Sequence, residues 1–426
     1  MTKLKITPRK LRGTIQVPPS KSLAHRAILC ASLANGISRI DNIQYSKDID
    51  ATIKAMESLG TQIMRYHDFL IIDGTTTFKK KDSYIDCKES GSTLRFLVPI
   101  SIVKENKVHF VGEGNLGKRP LHTFYEIFDR QNIDYTCQEG VLDLHIEGQL
   151  KADVYQIPGN ISSQFITGLL YALPLLEQDS VIEITSPLES IGYIDLTLQM
   201  LTMFGIEIEH ENYQKYYIKA NQSYHAMDYT VEADFSQAAF YLVAGAIGND
   251  VTLTNLNVKS LQGDKETLDI LERMNASISH NKDGLKVTAK QLQATTIDAS
   301  QCPDVIPVIS LACSQAKGHT SIINAGRLRI KECDRIEATR SQLNILGANI
   351  EELEEGMEID GVTPLHGGKT STFDDHRIAM MLAIACTISN QPIIIDNMEC
   401  VQKSYPNFWE DYQSLGGIID ECDMEE

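Results

Sequence analysis

Ser162-Ser163-Gln164-Phe165-Ile166 opens a long apolar run of helical character, and five other stretches of the chain start the same way. Ser20, Ser90, Ser162, Asp234, Asp304 and Asp374 each stand before such a run, at intervals of 70, 72, 72, 70 and 70 residues. Ser and Asp are good N-caps, because the side-chain oxygen can accept from an orphan amide of the first helical turn. A second mark keeps the same period: Gly60, Asn132, Gly205, Asn275, Gly347 and Gly416. Gly and Asn accept the left-handed conformation that closes a helix. Two independent marks in step identify one unit of about 71 residues repeated six times over the 426 residues.

Each unit reads as helix, strand, helix, strand, strand. The first helix is followed by a β-rich run such as 107–111, 181–184, 251–254 or 392–395. An amphipathic second helix then ends at the Gly/Asn mark, as over 50–59 and 335–346, and two strands follow around a tight polar turn, as at 276–279 and 285–288. The sixth copy runs out after Ile418-Ile419, whereas the chain begins with spare strand material at Leu4-Lys5-Ile6 and 13–17. The N-terminus is therefore expected to complete the sixth unit. Three units would make one domain, 20–231, and the other three with the N-terminal strands a discontinuous second, 1–19 plus 232–426. A (β/α)₈ barrel would repeat on a period nearer ~30 residues.

A net charge of −18, from 57 acids against 39 bases, argues against a general nucleic-acid or membrane surface. Acidic runs such as 351–358 and 420–426 read as solvated faces. Nine cysteines without a Cys-x-x-Cys pair or a His/Cys cluster of metal-ligand spacing suggest reduced thiols and a cytoplasmic protein. The start, Met1-Thr2-Lys3-Leu4-Lys5, lacks the apolar core of a signal peptide. No apolar stretch reaches the ~18 residues of a membrane span, and 166–176 reads as a buried helix.

The chemistry gathers at the helix starts. A helix N-terminus carries partial positive charge and free N–H groups, so it attracts anions. If like ends pack together, several such termini converge on one cleft. The first copy adds Ser20-Lys21-Ser22 and His25-Arg26, the second Ser90-Gly91-Ser92-Thr93 with Arg95, the third Ser162-Ser163-Gln164. Any one set reads as ordinary capping beside solvated cations, but three at equivalent repeat positions point to a site. More cations lie in loops: Lys118-Arg119-Pro120, Arg327, Arg329, Lys331, Arg335, Asp375-His376-Arg377 and Gln402-Lys403. Such clustering in an acidic chain suggests a small polyanionic ligand, held by Arg forks and Lys point charges. Asp304, a helix cap on the bland reading, and Glu332, a salt-bridge partner on the same reading, are the candidate pair for proton transfer.

These motifs, with Tyr193-Ile194-Asp195 and Lys331-Glu332-Cys333-Asp334-Arg335, resemble the 5-enolpyruvylshikimate-3-phosphate synthase family over essentially the full chain. The resemblance implies an α/β fold, the two-domain inside-out α/β barrel of the enolpyruvyl transferases, built from six βαβαββ repeats, three per domain. It implies transfer of the enolpyruvyl group of phosphoenolpyruvate to the 5-hydroxyl of shikimate 3-phosphate in the cleft between the domains. Neither metal nor organic cofactor is expected. By the resemblance Ser22, Arg26, Ser162, Ser163, Gln164, Ser190, Tyr193, Asp304, Arg327 and Lys331 hold shikimate 3-phosphate. Lys21, the Gly91 backbone, Arg119, Gln164, Arg335, Arg377 and Lys403 hold phosphoenolpyruvate, and Asp304, Glu332 and Lys21 carry the catalysis.

A monomer with no nucleic-acid or membrane partner is expected, and glyphosate is the family's inhibitor. Three positions depart from the pattern: Glu89 where Asn is common, Cys333 for Ser or Thr, and Phe96 where some relatives have Pro. A carboxylate at 89 would repel phosphoenolpyruvate, so Glu89 is expected to point away or to pair with a cation. The nearest rival is the sister enzyme acting on UDP-N-acetylglucosamine, which typically places a cysteine in the loop before Arg-Pro; residues 112–119 hold none. A non-catalytic anion-binding protein on the same fold would not need Asp304 and Glu332 together with the cations. An RNA 3′-phosphate cyclase-like enzyme would need a nucleotide site and a nucleophilic His motif that are not seen.

Overall fold

In the computed structural model, which describes residues 2–422, the six marks that close the second helices are all left-handed. Their φ values are +109 at Gly60, +54 at Asn132, +83 at Gly205, +70 at Asn275, +99 at Gly347 and +92 at Gly416. The acidic run 420–426 continues past Cys422, so its last four residues lie outside the described part. The chain divides into two compact units, Lys21–Glu232 and Met1–Ser20 with Ala233–Glu426, each around its own apolar core. Among the described residues there are six four-stranded sheets, three in each unit.

The first helices of the repeats are Lys21–Leu33, Gly91–Ser101, Ser163–Ala172, Phe235–Ala246, Ile306–Ser314 and His376–Cys386. The last three are buried at every residue, as expected of helices apolar on all faces. Second helices such as Lys47–Ser58 and Glu266–Arg273 are amphipathic and cover the sheets. The 166–176 run is a buried helix with a 3₁₀ end, Leu173–Leu175. Among the described residues no helix is long and apolar enough to cross a membrane.

Each sheet contains one strand that the repeat pattern did not mark. Asp82–Asp86 runs parallel to Asn106–Val111, which is antiparallel to Asp143–Gly148, with Asp134–Cys137 on the edge. The extra leading strand is short, only Tyr229–Thr230 and Ile297–Asp298 in two repeats, too brief to show a period of two.

The N-terminus corrects the expectation in part. Lys3–Thr7 enters the sixth sheet, between Ile393–Ile395 and Ile418–Cys422. Arg12–Gln16 does not join it; this strand lies parallel to Asp250–Thr254 in the fourth sheet. Correspondingly Tyr229–Thr230, which precedes the first helix of the fourth repeat (these first helices are the inner helices), pairs with Ile37–Asp41 in the first sheet. The leading strands of the first and fourth repeats are thus exchanged, which is how each set of three repeats completes its sheets.

Two caps also differ. Asp234 caps as expected, accepting from the amides of Ser236 and Gln237, and so do Ser90 and Ser162. Asp304 does not cap. It sits inside the 3₁₀ turn Pro303–Val305, one step ahead of a helix whose N-cap, Val305, has no side chain that can accept. In the sixth repeat the cap is Asp375, one residue beyond the expected Asp374, which is left-handed at φ +54 and accepts from Asn397 instead.

Candidate active site

In the 21–232 unit the first turns of the inner helices are tied together by buried hydroxyls. Thr93 donates to the Ser90 Oγ at 2.8 Å, Thr93 and Thr52 share a hydrogen bond of 2.7 Å, and Thr52 meets His25 Nδ1 at 2.8 Å. This chain runs from the second inner helix through Lys47–Ser58 to the first, fixing the candidate residues that surround it. Lys21 Nζ lies 2.9 Å from the Asp48 carboxylate, a partner in the first turn of Lys47–Ser58.

Arg26 is buried and spends its guanidinium on the protein. Nη1 donates to the Ser22 carbonyl at 2.8 Å, Nη2 to the Tyr193 carbonyl at 2.9 Å and Nε to Thr197 at 3.0 Å, with the Phe96 ring 5.5 Å beneath it. It therefore joins Ser22 of the first repeat to Tyr193 of the third. Ser190, just before Tyr193, is a non-glycine residue at φ +57, a backbone cost of about 1–3 kcal/mol that the surrounding packing must sustain. Phe96 packs edge-on to His25 and Tyr171.

Gln164 is oriented at both ends of its amide. Its Oε1 accepts from Arg95 Nη1 at 2.8 Å and its Nε2 donates to Ser92 at 2.9 Å. Ser162 accepts from the Gln164 amide as the cap, with Ser163 buried beside it. The two helices approach closely at Gly168, where a Cβ would stand 2.3 Å from the Arg95 carbonyl. Gly91 has a different reason to be glycine: a Cβ there would lie 2.8 Å from Arg119 Nη1 and 3.3 Å from Arg95 Nη1. The missing side chain is what lets Arg119 come up to the helix start. The Glu89 carboxylate lies over Gly114, where a Cβ would fall 2.0 Å from its Oε1, so Glu89 is directed onto the loop that leads to Arg119.

The other unit holds the densest charge. Asp304 Oδ1 accepts from Lys331 at 3.2 Å and from Arg335 at 2.9 Å, and its Oδ2 from Arg377 at 3.3 Å. Burial by itself would raise the Asp304 pKa, but Lys331, Arg377 and Arg335 outweigh it and hold the carboxyl well below the usual range. Lys331 is held below the usual lysine range: burial lowers its pKa, Asp304 and Glu332 oppose this, and the nearby Arg327 and Arg335 charges add to the lowering. Arg335 also donates to Glu332 at 2.8 Å and, through Nε, to Asp375 at 2.8 Å. Lys403 Nζ stands 4.0 Å from Glu332 Oε1.

Asp375, fully buried, accepts from the Arg377 amide at 2.8 Å as the helix cap and grips Arg335 at the same time. Cys333 Sγ lies 3.5 Å from Asp375, its thiol pushed up by burial. Asp334 caps the helix Arg335–Ile345 and so fixes where the 331–333 loop ends. Contacts thus link Asp304, Lys331, Glu332, Arg335, Arg377 and Lys403 in one unit. In the other they link Ser22 with Arg26 and Tyr193, and Gln164 with Gly91 and Arg119 through Arg95. Asp48 and Asp375, the buried partners of Lys21 and Arg335, were not among the expected site residues. Asp375 stood in a noted motif beside Arg377, whereas nothing near Asp48 in the sequence marks it.

Six α/β repeats in two units, with cations and hydroxyls at the inner-helix starts, define an enolpyruvyl transferase fold. An enolpyruvyl transferase from Streptomyces tendae, 16% identical, has this fold with a TM-score of 0.81 over 99% of both chains. The chain belongs to the EPSP synthase (3-phosphoshikimate 1-carboxyvinyltransferase) family, whose sequence profile matches residues 6–412. It is similar to the 3-phosphoshikimate 1-carboxyvinyltransferase of Clostridium perfringens (strain SM101 / Type A), 56% identical over 423 residues, covering 99% of this chain and 100% of that one. It is also similar to the EPSP synthase of Acinetobacter baumannii, 25% identical with a TM-score of 0.82, covering 99% and 100%.

Proposed function

We propose that this chain transfers the enolpyruvyl group of phosphoenolpyruvate to the 5-hydroxyl of shikimate 3-phosphate, giving 5-enolpyruvylshikimate 3-phosphate and phosphate on the way to chorismate and the aromatic amino acids. The observation that carries the reading is Lys331, Arg335 and Arg377 gathered on the Asp304 carboxylate, in a chain 56% identical to a relative named for this reaction. Both substrates are phosphorylated carboxylates, and cations offset their repulsion. Ser22, Ser162, Ser163, Gln164, Ser190, Tyr193, Arg327 and Lys331 take shikimate 3-phosphate, with Arg26 setting Ser22 and Tyr193 in place. Lys21, the Gly91 backbone, Arg119, Gln164, Arg335, Arg377 and Lys403 take phosphoenolpyruvate. The two sets act on one pair of substrates.

The hydroxyl oxygen attacks C2 while C3 gains a proton, giving a tetrahedral ketal. Loss of a C3 proton and departure of phosphate with the C2–O electron pair then restore the double bond. Asp304 is held ionised, so it accepts the hydroxyl proton rather than supplying one. Anionic substrates share the cations that Asp304 otherwise holds, which weakens their grip and raises its basicity at the moment it is needed. Glu332 and Lys21 remain as the carriers for C3. The reading includes a cytoplasmic, monomeric protein without nucleic-acid or membrane partners, in keeping with the charge of −18. The test is phosphate release with phosphoenolpyruvate and shikimate 3-phosphate, compared with UDP-N-acetylglucosamine as acceptor. Turnover with the second acceptor alone would replace this reading by the sister activity.

A further inference from the structure

We propose that His109, His145 and Asp143 form a binding site for one divalent transition-metal ion of the zinc, nickel and copper class, on the outer face of the second repeat's sheet. The strands Asn106–Val111 and Asp143–Gly148 are antiparallel, and His109 stands directly opposite His145 in their register. Asp143 is two residues before His145 on the same strand, so all three side chains emerge on one face. Val108, Phe110, Leu144 and Ile146 take the opposite face and are buried, which leaves the histidines on the solvent side.

The three donors are already gathered. The imidazole rings stack at 3.8 Å with 15° between their planes, and one donor atom from each of the three side chains lies within 4.8 Å of the other two. Asp143 Oδ1 lies 2.7 Å from His109 Nε2 and 3.4 Å from His145 Nε2. A tetrahedral ion with bonds near 2.1 Å keeps its donors about 3.4 Å apart and takes each imidazole in the plane of its ring. Admitting it therefore requires the exposed His145 ring to turn out of the stack and the Asp143 carboxylate to draw back from His109. Tyr84, the register partner of His109 on the neighbouring strand, packs its ring edge-on at 5.3 Å and holds the imidazole in this orientation. Two imidazole nitrogens with one carboxylate oxygen select borderline ions over magnesium or calcium, and water completes the coordination. The side chains are 31%, 42% and 55% exposed for His109, Asp143 and His145, so an ion reaches them without any opening of the fold.

His319 shows what the arrangement is not. Its two ring nitrogens each meet a separate carboxylate, Glu358 and Asp360, both at 2.7 Å, so the donors point apart around an ion pair. At His109 and His145 two rings share one acid. The separation of 36 positions between the two histidines explains why spacing along the chain gave no hint of a metal-like cluster.

The test titrates the full-length protein with CoCl₂ and NiCl₂, following equilibrium dialysis and the visible Co²⁺ spectrum. One ion per chain is expected, in a nitrogen and oxygen field without thiolate-to-cobalt charge transfer. The His109→Gln/His145→Gln double variant, and His145→Gln alone as a milder change, should lose at least about tenfold in affinity, while His319→Gln keeps it. Ni²⁺ should raise the thermal midpoint of the parent protein and not of the double variant. Absence of saturable binding, equal affinity in the double variant, or a thiolate charge-transfer band lost in Cys137→Ser would each overturn the proposal.

Discussion

Arg335 Nη1 donates to Asp304 Oδ1 at 2.9 Å, from a guanidinium whose side chain is 1% exposed. The same guanidinium meets Asp375 and Glu332, so one buried cation organises three carboxylates contributed by three separate segments. Asp304 also accepts from Lys331 through Oδ1 and from Arg377 through Oδ2, so three cations meet on this one carboxylate.

Replacing Asp304 by Ala is expected to lower kcat by at least about 10²-fold. Affinity for phosphoenolpyruvate and for inorganic phosphate should stay the same or tighten, because three cations lose a competing internal anion. Steady-state phosphate release together with calorimetric binding checks both halves. Retained turnover would remove Asp304 from the chemistry.

Arg335→Met leaves the fully buried Asp375 carboxylate without its guanidinium. Breaking a buried pair by removing one partner costs about 3–5 kcal/mol. Urea unfolding at neutral pH should show a loss of that size. Arg335→Lys should recover part of the stability, since a point charge returns without the fork that now spans Asp375, Asp304 and Glu332.

The period of 71 made the repeats readable because each one ends a helix in the same way, and a left-handed Gly or Asn is a local requirement that leaves a local mark. The exchanged leading strands left none. Arg12–Gln16 looks the same in sequence whether it pairs within the first repeat or with Asp250–Thr254, because pairing across 238 residues is decided by tertiary packing. The site divides along the same line. Gly91, Ser162 and the clustered cations stand beside helix starts and could be read from them. Asp304 could be read both as a helix cap and as a proton-transfer candidate, and the cap reading came from its place in the repeat, since Ser90, Ser162 and Asp234 at equivalent positions do cap. A 3₁₀ turn moves the helix start past Asp304 and turns its carboxylate to the cations. Asp48, the partner of Lys21 from 27 residues away, required the fold.

Gly91→Ala tests the close approach of Arg119. The added Cβ meets Arg119 Nη1 at 2.8 Å, the far end of a flexible side chain, so the guanidinium shifts and the fold does not. Alanine is also the better helix former, and at this first helical position the gain is below the ~1 kcal/mol of a helix interior, so thermal stability should hold or rise slightly. KM for phosphoenolpyruvate should rise several-fold, while KM for shikimate 3-phosphate changes less. An unchanged KM for phosphoenolpyruvate would separate Arg119 from that substrate.

His25 predicts a pH dependence of stability. Its ring is buried, and desolvation pushes its pKa down to about 3, with Asp48 opposing and Lys21 and Arg26 adding to the shift. In the unfolded chain the same ring titrates near ~6.5. Between those values the unfolded state binds a proton that the folded state does not. The contribution of His25 is therefore intact above about pH 6.5 and lost as pH falls toward 3, at up to about 1.4 kcal/mol per pH unit. His25→Asn has no ring to protonate and retains a polar group for Thr52. Its stability at neutral pH should be lower than that of the parent protein, and the gap should close by about 2 kcal/mol between pH 6.5 and pH 5. Titrating carboxylates common to both proteins cancel in the difference. Urea midpoints measured for the pair across this window decide the matter: parallel curves would mean that His25 takes up its proton while folded.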